Sequence, residues 1–297
     1  MVKIITRKIK KNNYYYLSHS YRVGNSIKHV ERYLGTSLPE IKDLELIKEG
    51  FNYKIFEKLW NPQVEEIKEG YLKQINLLPQ PIQIKDLRSF GVRFTHNTNK
   101  IEGSQLTLKD TALIIEDNIS PKNKSVIDIV EAKSHMSVYE EMIASEREID
   151  WDLILDWHEK IFKFTKPNIA GLIRQYPIEI SRSKYVPPVA GVEDLLDDLI
   201  KWYRENKVSL HPIYLACIVH FKFVSIHPFG DGNGRMCRIL TNYILFKNQY
   251  PMFDISYEMR QSYYNALERA NLKDDKKVFI NWFFTRYIKA NKKYLKI

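Results

Sequence analysis

Apolar and polar positions along this chain change their period from one segment to the next, and each period predicts a different kind of element. Residues 1–36 alternate in short bursts, KIITRKI, YYYLSHSYR and SIKHVERYL, separated by the turn-like KNN and VGN. Alternation rich in β-branched and aromatic residues predicts strands, so this segment reads as a small β-meander, which Gly35 and Pro39 then break. Val192, Leu195, Leu196, Leu199, Ile200 and Tyr203 keep a helical spacing opposite Glu193, Asp194, Asp197, Asp198 and Lys201, the pattern of an amphipathic surface helix. The stretch 212–226, PIYLACIVHFKFVSI, is apolar nearly all round, which predicts a helix buried inside a bundle with its proline in the first turn. Met236, Ile239, Leu240, Tyr243 and Phe246 resume helical spacing, so GDGNG is a tight loop that opens onto a helix N-terminus. Between Tyr176 and Val189, β-branched residues, paired prolines and a central polar turn predict a β-hairpin.

Composition narrows the class. With 297 residues, 44% hydrophobic and 28% charged, the chain can bury a substantial core and does not read as disordered. No apolar run approaches the roughly 18 residues that cross a bilayer, and MVKIITRKIKKNN lacks the apolar core of a signal peptide. The expectation is a cytoplasmic protein without membrane contact. Cys217 and Cys237 lie in helical apolar patterns, which predicts buried reduced thiols.

The charge is uneven. Lys3, Arg7, Lys8, Lys10, Lys11, Arg22, Lys28 and Arg32 against Glu31 place +7 of the net +10 in residues 1–36. That segment offers a surface for nucleic acid or an acidic partner, with a solvated basic face as the alternative. Its Tyr14, Tyr15, Tyr16, Tyr21 and Tyr33 are placed either to stack on bases or to pack the sheet.

Residues 227–238, HPFGDGNGRMCR, carry the candidate chemistry. A helix N-terminus presents unpaired N–H groups and partial positive charge, and glycine at 232 and 234 lets backbone amides approach phosphates closely. Arg235 and Arg238, three residues apart in the first turn, point to one side and can clamp further phosphate oxygens. Asp231 is placed to hold a Mg²⁺ bridging those phosphates, and His227 can be neutral at cellular pH and take a proton from an attacking hydroxyl. His220, one motif length earlier on the buried helix, reads as a hydrogen-bonded core residue.

The pattern H-x-F-x-D/E-G-N-G-R-x-x-R resembles that of the Fic (filamentation induced by cAMP) family, matched here by His227, Phe229, Asp231, Gly232, Asn233, Gly234, Arg235 and Arg238. The resemblance implies a mainly α Fido fold over about residues 80–290, a helical bundle with a β-hairpin flap over the active site, to which the basic β-meander is added. It implies AMP transfer from ATP to a Ser, Thr or Tyr hydroxyl of a target protein held along the flap, residues 176–188. His227 would be the base, Phe229 an apolar anchor, Asp231 the Mg²⁺ ligand, Gly232, Asn233 and Gly234 the anion hole, and Arg235 and Arg238 the ligands of the outer phosphates. Upstream, Thr98-Asn99-Lys100-Ile101-Glu102-Gly103 is similar to the family's inhibitory pattern S/T-x-x-x-E-G/N, in which the glutamate removes the second arginine, here Arg238, from the γ-phosphate. The segment with Tyr263, Tyr264 and Asn265 resembles the one near the nucleotide base. The division expected is a β-rich segment 1–36, a helical region 37–110 with the inhibitory motif, and a catalytic domain 111–297. Relatives that transfer other groups, or that remove AMP, keep a bifunctional or reversed enzyme open, and homo-oligomerisation is also open.

Overall fold

The computed structural model describes residues 2–23, 26–181 and 183–295, so the turn expected at 23–25 and the centre of the expected hairpin at 182 fall partly outside the described residues. Among the described residues the chain forms three strands and eleven α-helices. It divides into two compact units, Met1–Ile67 with Leu295–Ile297, and Lys68–Tyr294.

In the first unit β1 (Lys3–Ile9), β2 (Asn12–Val23) and β3 (Ser26–Gly35) form an antiparallel sheet in that order, the meander that the alternation predicts. Ile5 faces Tyr16 across one ladder and Tyr16 faces Tyr33 across the other, with a register shift at Tyr15/Tyr16. One side of the sheet meets α1 (Ile41–Leu59), where Phe51 and Ile55, four residues apart and hence on one helical face, close over the buried Leu17. A further helix, α2 (Asn61–Asn76), carries the chain into the second unit.

The second unit is helical: α3 (Gln80–Ile101), α4 (Leu108–Glu116), α5 (Val126–Ala144), α6 (Trp151–Phe162), α7 (Val192–Asn206), α8 (Pro212–Ile226), α9 (Asn233–Lys247), α10 (Arg260–Leu272) and α11 (Lys277–Ala290). The burial of α7 follows its stripe, with Val192, Leu196, Leu199 and Ile200 inward. By contrast α8 and α9 are buried on nearly all sides and pack against each other at the centre of the unit. Cys217 and Cys237 are buried free thiols.

The hairpin expected over 176–189 is a correction. Among the described residues this stretch forms no ladder, and the nearby pairing is a single bridge between Ile173 and Phe229. Pro177, Pro187 and Pro188 have no N–H to donate. Side chains tie the excursion down instead. Arg174 donates to the carbonyls of Tyr176 and Pro188 at 2.8 and 2.6 Å. Glu268 accepts from Lys184 N–H at 2.5 Å, and the Tyr185 hydroxyl donates to Ser225 O at 2.9 Å.

Candidate active site at the start of α9

Helix α8 ends at His227, whose left-handed φ of 55° turns the chain sharply out of the helix. The imidazole Nδ1 lies 3.2 Å from Val224 O, an acceptor, so Nδ1 carries the proton and Nε2 keeps its lone pair. Burial pushes the His227 pKa down, a displacement only partly opposed by that carbonyl and by Glu102. The ring is therefore a neutral base near pH 7.

The loop that follows is braced from inside. The Asn233 side chain takes a hydrogen bond from Phe229 N–H at 2.9 Å and returns one to Phe229 O at 2.7 Å. Phe229 is fully buried and lies flat on His158, ring centroids 3.6 Å apart. Gly171 N–H donates to His158 Nδ1 at 3.0 Å, so Nε2–H donates to Asp231 O at 2.9 Å. Burial holds His158 at about 4, neutral at any ordinary pH. Gly232 has φ 82°, and a Cβ there would meet the Phe162 ring at 2.3 Å, so this position requires glycine.

Arg235 and Arg238 leave the first turn of α9 and are both 2% exposed. Arg235 pairs with Glu131 of α5, donates to Asn99 Oδ1 at 3.2 Å and lies over the Phe162 ring. Arg238 donates from Nε to Thr98 Oγ1 at 2.7 Å and from Nη2 to Glu102 Oε1 at 2.5 Å. Burial disfavours the Arg238 charge, but the Glu102 carboxylate outweighs it and the pKa is raised. Arg235 Nε and Arg238 Nη1 remain buried without a hydrogen-bond partner.

Glu102 owes its position to a helix ending. Gly103, at φ 107°, follows it as the left-handed residue of a C-terminal cap, with Ser104 N–H bonded to Asn99 O at 3.0 Å and Gly103 N–H to Lys100 O at 3.2 Å. The helix stops and its last side chain turns to α9. Its Oε1 lies 2.2 Å from where a Cβ on Gly234 would stand, so the missing Cβ is what admits the carboxylate.

Asp231 is half-exposed. Its Oδ1 accepts from Gly232 N–H at 2.6 Å, and its Oδ2 lies 2.7 Å from Lys166 Nζ. Burial alone would raise its pKa, but Arg235, then Lys166 and the Gly232 N–H outweigh that and lower it. Glu131 shares Lys166 at 2.9 Å.

The structure thus gathers Thr98, Glu102, His227, Asp231, Gly232, Asn233, Gly234, Arg235 and Arg238 around one loop. His220 is a core residue as expected: it bonds Thr241 Oγ1 at 2.9 Å and the Tyr263 hydroxyl at 2.8 Å. Tyr263 is consequently turned inward, while Tyr264 is partly exposed and donates to Ile101 O at 3.2 Å. Sequence reasoning did not reach Arg174, His158, Glu131, Lys166 or Asn99. Arg174 is 3% exposed and, besides the flap carbonyls, donates to His227 O at 2.7 Å and to Ile226 O at 3.3 Å. The available signals were acids and imidazoles set within apolar helical faces, Glu131 on α5 and His158 on α6, because a buried polar group needs a partner.

A buried helix ending in a neutral histidine, a glycine loop and two buried arginines at a helix N-terminus define a helical domain built around an anion-binding turn. The family model described as Fic/DOC family matches residues 148–245 of the chain. Among curated proteins it is 33% identical over 187 residues to protein adenylyltransferase fic-1 of Caenorhabditis elegans, covering 61% of this chain and 37% of that protein. It is 32% identical over 182 residues to protein adenylyltransferase Fic of Nematostella vectensis, covering 59% of this chain and 42% of that one. The chain therefore matches less than half the length of these relatives. Among solved structures, a Fic domain containing signaling protein of Bacteroides thetaiotaomicron superposes with TM-score 0.68 at 26% identity, covering 77% of this chain and 95% of the other. Fic-1 of C. elegans, residues 134–508, gives TM-score 0.70 at 25% identity over 86% of this chain and 77% of the other.

Proposed function

We propose that the chain is a Fic-type protein adenylyltransferase, moving AMP from ATP to a hydroxyl of a target protein and held back by Glu102. The observation that carries this reading is the notch at Gly234, where an internal carboxylate sits at a helix N-terminus against a buried arginine with one unsatisfied N–H. An anion belongs there. In ATP-bound enzyme a phosphate would take that place, with the N–H groups of residues 232–234 and Arg238 around it.

His227 Nε2 removes the proton of the target hydroxyl as its oxygen attacks the α-phosphorus. The new P–O bond forms as the bond to the β-phosphate breaks, and pyrophosphate leaves. Arg174, bonded to His227 O, and the His158–Phe229 stack fix where base and loop stand, so the chain contributes chiefly position and charge. Asp231 fits Mg²⁺ by donor chemistry, since this ion prefers hard oxygens and is held by one or two carboxylates together with phosphates. When bound, the ion neutralises phosphate charge. The target would lie along 176–188, where Tyr176, beside Gly230 of the loop, and Val186 are exposed.

The test uses ATP labelled at the α- or the γ-phosphorus with the Glu102→Gly variant and a cell lysate. Label from the α-position alone, retained on protein, supports AMP transfer. Label from the γ-position alone would indicate phosphate transfer and overturn the reading.

A further inference from the structure

Lys166 lies outside the motif, in the turn after α6, yet its ammonium sits 2.7 Å from Asp231 Oδ2 and 2.9 Å from Glu131 Oε1. The turn is fixed by its own backbone: Lys166 N–H donates to Phe162 O at 2.7 Å, and Lys166 O accepts from Ile169 and Ala170 N–H, each at 3.1 Å. The ammonium also stands 5.2 Å from the Phe162 ring centroid. Glu131, Asp231, Arg235 and Lys166 together carry two negative and two positive charges, so the cluster is neutral without any ion.

A divalent cation approaching Asp231 meets a cation already on the oxygen it needs. Of the two resident cations only Lys166 can leave. The Arg235 side chain is 2% exposed and fixed by Glu131, whereas the Lys166 side chain is 33% exposed and ends a flexible four-carbon stem. Should Lys166 withdraw, Glu131 stays paired with Arg235, and Asp231 keeps only the longer Arg235 contact at 3.7 Å.

We infer that Lys166 is a built-in counter-ion for Asp231, and that a divalent cation loads on this carboxylate by displacing it. This rests on Asp231 being the metal ligand. Both halves of the site are then closed from within at rest: Glu102 occupies the cation Arg238, and Lys166 occupies the anion Asp231.

The experiment titrates Mn²⁺ into nucleotide-free protein and reads free Mn²⁺ by its electron paramagnetic resonance signal. Removing one charge at contact distance from a partly exposed ligand is expected to tighten Mn²⁺ binding about tenfold in Lys166→Met. Lys166→Gln, which keeps a donor but no charge, gives the same gain, and Lys166→Arg gives none. Adding Asp231→Asn to Lys166→Met removes the gain. Equal or weaker affinity in Lys166→Met and Lys166→Gln, or a gain that persists without Asp231, overturns the inference. No nucleotide is present, so a tighter Mn²⁺ site in a protein that transfers no AMP leaves the counter-ion standing and removes only the proposed activity.

Discussion

The Glu102 carboxylate lies 2.5 Å from Nη2 of Arg238 and fills the space that a Cβ on Gly234 would take. The side chain comes from a helix 136 residues earlier in sequence, and Gly103 stops that helix so that the carboxylate points at the turn. On the proposed reading, the Glu102 carboxylate and a phosphate of ATP would take the same place.

Gly234→Ala separates the notch from the lock. The added methyl would expel the Glu102 carboxylate, but it would also crowd a phosphate out of the same space. Introduced into Glu102→Gly, it is expected to lower AMP transfer about a hundredfold, in the range seen when one preorganised anion contact is lost. Isothermal titration with ADP should show the matching loss of nucleotide affinity; unchanged affinity would mean that phosphate does not use this notch.

His227→Ala is expected to reduce AMP transfer by roughly 10²–10⁴-fold, the usual contribution of a general base. Because burial lowers the His227 pKa, the neutral base persists below the usual histidine range. In the Glu102→Gly background, where a contribution that raises this pKa is also gone, the rate should therefore be level around neutrality and through the usual histidine range, and fall only on the acid side of that range as the ring takes a proton. A rate that falls as pH rises through that range would exclude His227 as the base.

Arg174→Met removes donors from the carbonyls of Tyr176, Pro188, Ile226 and His227 at once. Stranding buried acceptors in this way is expected to cost about 3 kcal/mol of stability and to impair transfer as well. Arg174→Lys should not rescue either property, because an ammonium cannot span both limbs of the flap as the planar guanidinium does. Chemical denaturation and α-label incorporation on both variants check this.

Acid should weaken the fold before it reaches the carboxylates. Burial depresses His158 to about 4 and His135 and His220 to about 3. An unfolded histidine takes its proton near 6.5, so between those values the unfolded chain binds more protons and stability rises with pH. The melting temperature is expected to fall steadily as pH drops from 6.5 to 4.5, and a flat profile over that window would contradict the buried neutral state of these rings. The lowered pKa values of Glu131 and Asp231 add a further loss only at lower pH, where their ion pairs are protonated.

Elements whose period is set by their own residues were legible in the sequence. The stripe of α7, the all-round apolarity of α8 and the alternation of β1–β3 each give an element that the structure contains. The flap was not, because its prolines remove donors and its order comes from Arg174, Glu268 and Tyr185, which no local pattern connects to it. The site divides the same way. Residues 227–238 are contiguous, so their grouping could be read directly, and Glu102 was reached through its resemblance to an inhibitory pattern. Glu131, His158 and Lys166 come from α5, α6 and the turn after it, and their meeting at Asp231 and Arg235 exists only in three dimensions.

The central claim, an assembled site restrained by Glu102, is tested most directly by comparing incorporation of α-labelled ATP into protein by the unmodified chain, Glu102→Gly and Glu102→Gly/His227→Ala. The account predicts at least a roughly tenfold rise on removing Glu102, on the scale of losing one charge-assisted ion pair, and its disappearance when His227 is also removed. No rise in Glu102→Gly, or a rise that survives the loss of His227, would contradict it.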